Sequence, residues 1–162
     1  MKDLIIISGA PGSGKSTLAK SLKQKLASVE VEFSALRNFH LDSEWKNKGE
    51  KEEQMTFENF LFIVRNYLSH GYKNIIVHDF QDFRISQLSA EFKNSVIITL
   101  IADDSELKKR ITDRNDGWKD TTRAIEWNKN LKITLPLPNE YRIDNTKKTK
   151  EETLSEVLKI LM

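Results

Sequence analysis

Short continuous runs of apolar residues alternate along this chain with longer stretches in which apolar residues recur every three or four positions. Continuous runs are typical of strands buried on both faces of a parallel sheet, whereas the longer period is typical of helices with one buried face. The continuous runs predict strands at Leu4–Ser8, Val29–Ala35, Asn74–Asp79, Ser95–Ile101 and Tyr141–Asp144.

Predicted helices lie between these strands. The first opens near Lys15 and carries Leu18, Leu22 and Leu26 on one stripe. Others are predicted for the stripe from Phe57 to Leu68 that Gly71 ends, for Ile85–Phe92, for Asp103 to about Arg114, for Thr121–Lys132, and for the segment opened by a Thr149–Glu152 capping box.

The alternation of strands and helices predicts the fold class. Right-handed crossovers between successive strands give an α/β three-layer sandwich with a parallel sheet of about five strands, and we expect residues 1–162 to form a single domain. Ligands bind such sheets at the carboxyl ends of the strands. Ser8, Asp79 and Ala102 all lie at predicted strand ends, so they are expected to converge on one site.

Composition narrows the possible functions. The chain has 162 residues, of which 38% are hydrophobic and 31% charged, and it has no cysteine. Disulfide scaffolds, thiolate metal sites and thiol catalysis are therefore excluded. No apolar stretch approaches the roughly 20 residues that span a bilayer. We expect a cytoplasmic protein without a membrane partner, and the formal charge of +2 is too small to indicate nucleic acid by itself.

One contiguous motif carries the clearest chemistry. The P-loop pattern is matched in full by Gly9, Ala10, Pro11, Gly12, Ser13, Gly14, Lys15 and Ser16. Its glycines let several backbone N–H groups point inward at the start of a helix, whose positive dipole end favours phosphate. Lys15 is expected to reach the β- and γ-phosphates, Ser16 to offer its hydroxyl to Mg²⁺, and Thr17 to add a phosphate contact. The motif predicts binding of ATP with Mg²⁺.

The motif, the short chain and the predicted sheet resemble the nucleoside-monophosphate-kinase-like branch of P-loop proteins. That branch includes shikimate and gluconate kinases, chloramphenicol phosphotransferase, tunicamycin-resistance proteins and the kinase domain of phage polynucleotide kinase. The resemblance implies a P-loop NTPase fold with a small lid, here around residues 110–124. It also implies ATP- and Mg²⁺-dependent transfer of the γ-phosphoryl group to a hydroxyl or phosphate of a small molecule.

Two aspartates are candidates for positioning the metal and the acceptor. Asp42 follows the second predicted strand, where kinases of this branch carry an acid that takes the acceptor's proton. Asp79 ends the third strand, where a carboxylate can hold Mg²⁺ through water or contact the acceptor. Either aspartate can be the base, and a solvated loop or turn carboxylate is the alternative for each.

Arginines supply the other candidates. Arg37 and Arg84 are candidates for acceptor binding, because a guanidinium fork holds carboxylate or phosphate. Arg110 and Arg114 lie four residues apart and share one helix face. By resemblance, one of them stabilises the transferring phosphoryl group and the other packs on the base. The sequence leaves open which of the two does which, and Arg123 is a third candidate.

The resemblance also implies that the loop after the last strand lines the adenine, largely through backbone atoms, with Asn145 and Thr146 as the candidate residues. Two other functions remain open. One is a 5′-hydroxyl nucleic-acid kinase, since lysines are frequent near residues 46–51 and 147–150, although acidic residues dilute the first group. The other is a nucleotide-binding protein without transferase activity.

Overall fold

A computed structural model describes residues 1–44, 46–115, 117 and 119–162. Its parallel sheet has five strands in the order β2-β3-β1-β4-β5. The strands are β1 (Leu4–Gly9), β2 (Glu30–Glu32), β3 (Ile75–His78), β4 (Ser95–Ile101) and β5 (Glu140–Asp144). The predicted α/β fold with a five-stranded parallel sheet is confirmed.

Helices connect the strands and cover the sheet on both sides. They are α1 (Lys15–Leu26), α2 (Glu50–Ser69), α3 (Asp82–Glu91), α4 (Asp104–Asp113), α5 (Thr121–Ile133) and α6 (Lys150–Leu161), with a 3-10 helix at Ser34–Phe39. In the ranges given above, none of these helices is long and apolar enough to cross a membrane.

The alternation of side chains along β1 explains the three layers. Leu4 and Ile6 point into one core, which contains Phe60 of α2 and Leu88 of α3. Ile5 and Ile7 point into a second core against α1 and α6. Because β1 lies at the centre of the sheet and is buried on both faces, every residue of it is apolar or small, as the continuous run predicted.

The second predicted strand is shorter than expected. It ends at Glu32, and the chain turns at Phe33 into the 3-10 helix. Phe33 is 2% exposed, and its ring centroid lies 4.9 Å from that of Phe80 and 6.1 Å from that of Phe60. This aromatic contact pulls the chain out of the sheet and brings the residues after β2 beside the carboxyl edge.

The other boundaries differ by a few residues. The third helix begins at Asp82 rather than Ile85, and the last strand begins at Glu140. The fourth helix begins at Asp104, and Asp103 before it makes no capping hydrogen bond with its side chain. The predicted capping box is present: the Thr149 hydroxyl accepts from the Glu152 N–H at 3.1 Å, and Glu152 Oε2 accepts from the Thr149 N–H at 2.7 Å.

Candidate active site

The loop between β1 and α1 forms an open cradle of backbone. Gly9 and Gly12 have φ angles of 141° and 83°, a region that side chains disfavour. A Cβ atom on Gly9 would lie 2.5 Å from Ser13 Oγ, and one on Gly12 would lie 2.7 Å from Ile111 Cγ1. Glycine is therefore required at both positions for the loop to close around its centre and for α4 to pack against it.

Lys15, the first residue of α1, reaches back across this loop. Its Nζ donates to the carbonyl oxygens of Gly9 at 2.8 Å and Ala10 at 3.1 Å. Burial lowers the pKa of Lys15 to about 8; nearby Asp79 opposes the shift and Arg114 adds to it. The ammonium group thus lies where a polyphosphate bound to the cradle would meet it, in surroundings that disfavour an uncompensated charge.

A cavity of about 1080 Å³ opens above the cradle. Lys15, Ser16 and Thr17 line it, and the hydroxyl-bearing residues Ser16 and Thr17 are exposed toward solvent. The start of α1 also faces this space, so unpaired backbone N–H groups and the helix dipole favour an anion there. The volume is large enough for a nucleotide and a second small molecule, since ligand pockets usually measure about 300–1,000 Å³.

Carboxylates approach the cavity from two neighbouring strands. Asp79 follows β3 and lines the cavity, with a φ of 71° that is rare outside glycine. Glu32, the last residue of β2, also lines it, and its Oε1 accepts from the Ser34 hydroxyl at 2.9 Å. Because β2 and β3 are parallel neighbours, both acids lie at the same edge of the sheet.

The two arginines of the α4 segment hold different positions. Arg110 is tied to protein at three points: its Nε donates to Glu106 Oε1 at 2.8 Å, its Nη1 to Asn145 Oδ1 at 3.0 Å, and its Nη2 to the Asn145 carbonyl at 2.9 Å. Arg114 follows the end of α4 and lies near enough to Lys15 to affect its pKa. Both line the cavity, Arg114 beside the phosphate cradle and Arg110 beside the loop after β5.

A model of the AAA_18 family, described as an AAA domain, matches residues 5–159. The chain belongs to the AAA_18 family. Similarity over almost the whole of this chain also extends to two proteins named "Putative adenylate kinase". The one from Pyrococcus abyssi (strain GE5 / Orsay) is 25% identical, with 98% of this chain and 83% of that protein covered. The one from Thermococcus kodakarensis (strain ATCC BAA-918 / JCM 12380 / KOD1) is 26% identical over 98% and 85%.

Solved kinases share the AAA_18 chain's fold. A sugar kinase from Janibacter sp. HTCC2649 superposes with a TM-score of 0.73 at 14% identity, and the superposition covers 99% of this chain and 95% of the sugar kinase chain. A gluconokinase from Sinorhizobium meliloti 1021 superposes with a TM-score of 0.70 at 16% identity, covering 97% and 90%. These solved structures show the fold alone; the family membership and the relatives named as kinases support a phosphotransferase of the P-loop kinase family.

The structure of this AAA_18 kinase does not bring Asp42 to the cavity. Asp42 is exposed, and its carboxylate accepts from the backbone N–H groups of Glu44 at 3.1 Å and Lys46 at 3.0 Å. The 3-10 helix carries the chain outward before Asp42 is reached. Glu32, which the sequence reasoning missed because the predicted strand ran through it, occupies the strand-end position instead.

The two candidate acceptor arginines also differ. Arg37 lines the cavity, and its Nε and Nη2 donate to the two carboxylate oxygens of Glu53 at 2.6 and 2.7 Å. This hydrogen-bonded pairing lowers the pKa of Glu53. Arg84 does not line the cavity; it is 8% exposed, and its guanidinium lies 4.3 Å from the ring centroid of Phe57. Arg84 therefore connects α3 to α2, both by packing on Phe57 and by donating from Nη2 to Gln54 Oε1 at 3.0 Å.

Of the remaining predicted residues, Asn145 lines the cavity, whereas Thr146 and Arg123 do not. Asn145 is buried and lines the cavity, and its Nδ2 donates to the Ser13 carbonyl at 2.8 Å. Thr146 lies outside the main cavity and donates its hydroxyl to Asp144 Oδ1 at 2.6 Å. Arg123 is exposed on α5 and is likewise absent from the cavity lining; its backbone N–H donates to the capping carboxylate of Asp120 at 3.0 Å.

Several lining residues were missed by sequence reasoning. They are Glu32, Ser34, Gln81 and Trp127, whereas the lining residues Lys48 and Lys148 belong to the lysine groups named for the nucleic-acid alternative. Trp127 lies on α5, and its indole N–H donates to Asp82 Oδ1 at 3.1 Å, which ties α5 to the start of α3. Burial raises the pKa of Asp82. The helical period of α5 was visible in the sequence, but which of its faces meets the cavity depends on tertiary packing.

Proposed function

We propose that this AAA_18 protein is an ATP- and Mg²⁺-dependent kinase that transfers the γ-phosphoryl group to a hydroxyl or phosphate of a small molecule. The observation that carries the proposal is the joint presence of the phosphate cradle and two strand-end carboxylates, Glu32 and Asp79, around one cavity of about 1080 Å³. Phosphoryl transfer requires little more than positioning of two substrates and compensation of charge, and this cavity offers both.

The cradle and its cations would hold the donor. Backbone N–H groups between Gly9 and Lys15 bind the polyphosphate, and the Lys15 ammonium exchanges the carbonyl oxygens of Gly9 and Ala10 for phosphate oxygens. Arg114, on the same side of the cavity, compensates charge on the transferring group. Arg110 faces the nucleobase, because its guanidinium is pinned beside the loop after β5.

The residues present fit a magnesium ion. Ser16 places a hydroxyl at the start of α1 and Asp79 a carboxylate at the end of β3, and hard oxygen donors of this kind suit Mg²⁺. In the described ranges, no cluster of three or more His, Asp or Glu side chains forms a metal cage of its own. This fits an ion that shares its ligands with substrate phosphates and water. When bound, the ion would neutralise charge on the β- and γ-phosphates.

The proton of a hydroxyl acceptor needs a base, and we assign it to Glu32. The acceptor oxygen forms the new bond to the γ-phosphorus, the bond from that phosphorus to the β,γ-bridging oxygen breaks, and ADP departs. The acceptor proton passes to the Glu32 carboxylate, which Ser34 orients through its 2.9 Å hydrogen bond. Asp42 was the first candidate for this role, but its carboxylate is engaged in a turn outside the cavity.

Several expectations belong to the same proposal and stay predictions. They are the cytoplasmic location, the organisation as one domain, and a lid around residues 110–124. Asp116 and Trp118, within that lid, lie outside the described residues. The relatives' names favour a nucleoside monophosphate as acceptor, whereas the sugar kinase and gluconokinase folds favour a hydroxylated metabolite.

The proposal is tested by incubating the protein with Mg²⁺, ATP labelled at the γ-phosphate, and panels of nucleoside monophosphates and sugar acids. We expect label in at least one acceptor, and no transfer by Lys15→Ala. A protein that binds ATP yet labels no acceptor in either panel would support the nucleotide-binding alternative instead.

The choice of base is tested by a matched pair of variants. Glu32→Gln removes the proposed base with little change in shape, and it should lower kcat at least a hundredfold, within the range typical of general-base catalysis. Asp42→Asn makes the same chemical change outside the cavity and should retain most of the wild-type kcat. The opposite ranking of the two variants would return the role to Asp42.

A further inference from the structure

Asn145, the residue directly after β5, uses both ends of its side-chain amide inside the protein. It is 6% exposed. Its Nδ2 donates to the Ser13 carbonyl of the phosphate cradle at 2.8 Å, and its Oδ1 accepts from Arg110 Nη1 at 3.0 Å. The side chain therefore lies between the cradle and the α4 arginine and contacts both.

The orientation of this amide follows from its partners. An arginine only donates hydrogen bonds and a carbonyl only accepts them, so the oxygen must face Arg110 and the NH₂ group must face Ser13. Aspartate at this position would keep the acceptor for Arg110 but would turn a carboxylate toward the Ser13 carbonyl. An apolar side chain at this position would leave both Arg110 and the Ser13 carbonyl without a hydrogen-bond partner, and losing buried hydrogen bonds lowers stability.

Both partners are held firmly by this arrangement. Ser13 is fully buried, and a Cβ atom on the next residue, Gly14, would lie 3.6 Å from Asn145 Nδ2, an ordinary packing distance. Arg110 receives further support from Glu106 at 2.8 Å and from the Asn145 carbonyl at 2.9 Å. Three fixed hydrogen bonds set the plane of the guanidinium group.

We propose that Asn145 is a positioning residue that couples the phosphate cradle to Arg110, so that the phosphates and the base of one nucleotide meet preorganised partners together. The inference rests on the proposed function, since it takes ATP as the ligand of this cavity. It is compatible with the expectation that the loop after β5 lines the adenine largely through backbone atoms, because the Asn145 side chain has its own partners in the cradle and in Arg110.

Binding of inorganic tripolyphosphate and of ATP separates the two halves of this role. Tripolyphosphate has no base and reports on the cradle alone, whereas ATP reports on the cradle and on Arg110. Asn145→Ala should weaken tripolyphosphate binding about tenfold, the loss expected when one buried hydrogen bond is removed, and should weaken ATP binding further. Arg110→Ala should weaken ATP binding but change tripolyphosphate affinity only about twofold.

A conservative variant and a double variant distinguish positioning from a general structural effect. Asn145→Asp keeps the acceptor for Arg110, so both affinities should fall while their ratio stays near the wild-type value. In the double variant Asn145→Ala/Arg110→Ala, the loss of ATP affinity should be smaller than the product of the single losses, because both changes break one interaction. A mere loss of stability would produce neither pattern.

The outcomes are separable from those of the proposed function. Wild-type protein that binds neither ligand would overturn the proposed function and this inference together. If the wild type binds both ligands and Asn145→Ala binds tripolyphosphate as tightly, the inference fails while the proposed function stands. Multiplicative losses in the double variant would refute the coupling. Should Asn145→Ala not fold, Asn145→Asp decides, since an unchanged tripolyphosphate affinity there refutes the inference equally.

Discussion

The lowered pKa of Lys15 predicts that ATP affinity falls as the pH rises through about 8. Burial is the main cause of the low pKa, with Arg114 adding to it and Asp79 opposing it. A polyphosphate in the cradle would sit beside the ammonium group and favour its charged form, which raises the pKa in the complex. Below pH 7 the lysine is already charged, so ATP binding takes up no proton. Above the free-state pKa it must first take up a proton, so binding weakens.

The size of the effect follows from a pKa of about 8. Roughly 90% of Lys15 is charged at pH 7 and roughly 10% at pH 9, so affinity should fall about tenfold over that interval if the pKa in the complex rises to about 10 or higher. At pH 8.5 about three quarters of a proton should be taken up per bound ATP. A lysine with the ordinary pKa near 10.4 would give almost no change in affinity over the same range.

Isothermal titration calorimetry measures both quantities. Affinities at pH 7 and pH 9 give the ratio, and titrations at pH 8.5 in buffers of different ionisation enthalpy give the proton uptake. Lys15→Arg is the matched control, since its guanidinium stays charged throughout and should remove most of the pH dependence. Equal wild-type affinities at the two pH values, or the same proton uptake in Lys15→Arg, would refute the reasoning.

Two further predictions concern the cradle and the core. Gly12→Ala should lower the ATP affinity measured by titration more than tenfold, because the added Cβ would lie 2.7 Å from the Ile111 side chain. Gly71→Ala is the control: at a φ of 84°, with nothing within 4 Å of the added Cβ, it introduces only backbone strain of about 1–2 kcal/mol and should bind ATP normally. Phe60→Ala should lower the free energy of unfolding by about 3–5 kcal/mol in urea melts, whereas Phe62→Ala, on the same helix but 69% exposed, should change it by less than about 0.5 kcal/mol. Equal effects within either pair would contradict these assignments.

The features that the sequence predicted well are local ones. The phosphate cradle is formed by eight adjacent residues, so the order of glycines, lysine and serine in the sequence is enough to predict it. The Thr149–Glu152 capping box involves residues only three positions apart. The strand β1 is predicted by a continuous apolar run because both of its faces are buried. In each case the interactions that define the structure lie between neighbours in the chain, so pattern and structure agree.

The acceptor side could not be predicted in the same way. Whether Asp42 or Glu32 reaches the cavity depends on Phe33, which ends β2 early because its ring packs against Phe80 from a distant part of the chain. Arg84 and Arg37 are indistinguishable as letters, but the first is buried against α2 and the second faces the cavity. Contacts between residues far apart in the chain decide both cases.

The distribution of charge around the cavity also constrains how its ligand lies. Lys15 and Arg114 lie on the side of the cradle, whereas Glu32 and Asp79 lie at the ends of β2 and β3. A triphosphate drawn to the cations would bring its terminal phosphate toward these carboxylates, and like charges at such a distance repel. A cation between the phosphate and the carboxylate would remove this repulsion. The position of Asp79 near Lys15 therefore supports the proposed magnesium requirement. The arrangement also leaves Glu32, farther along the sheet edge, for the acceptor.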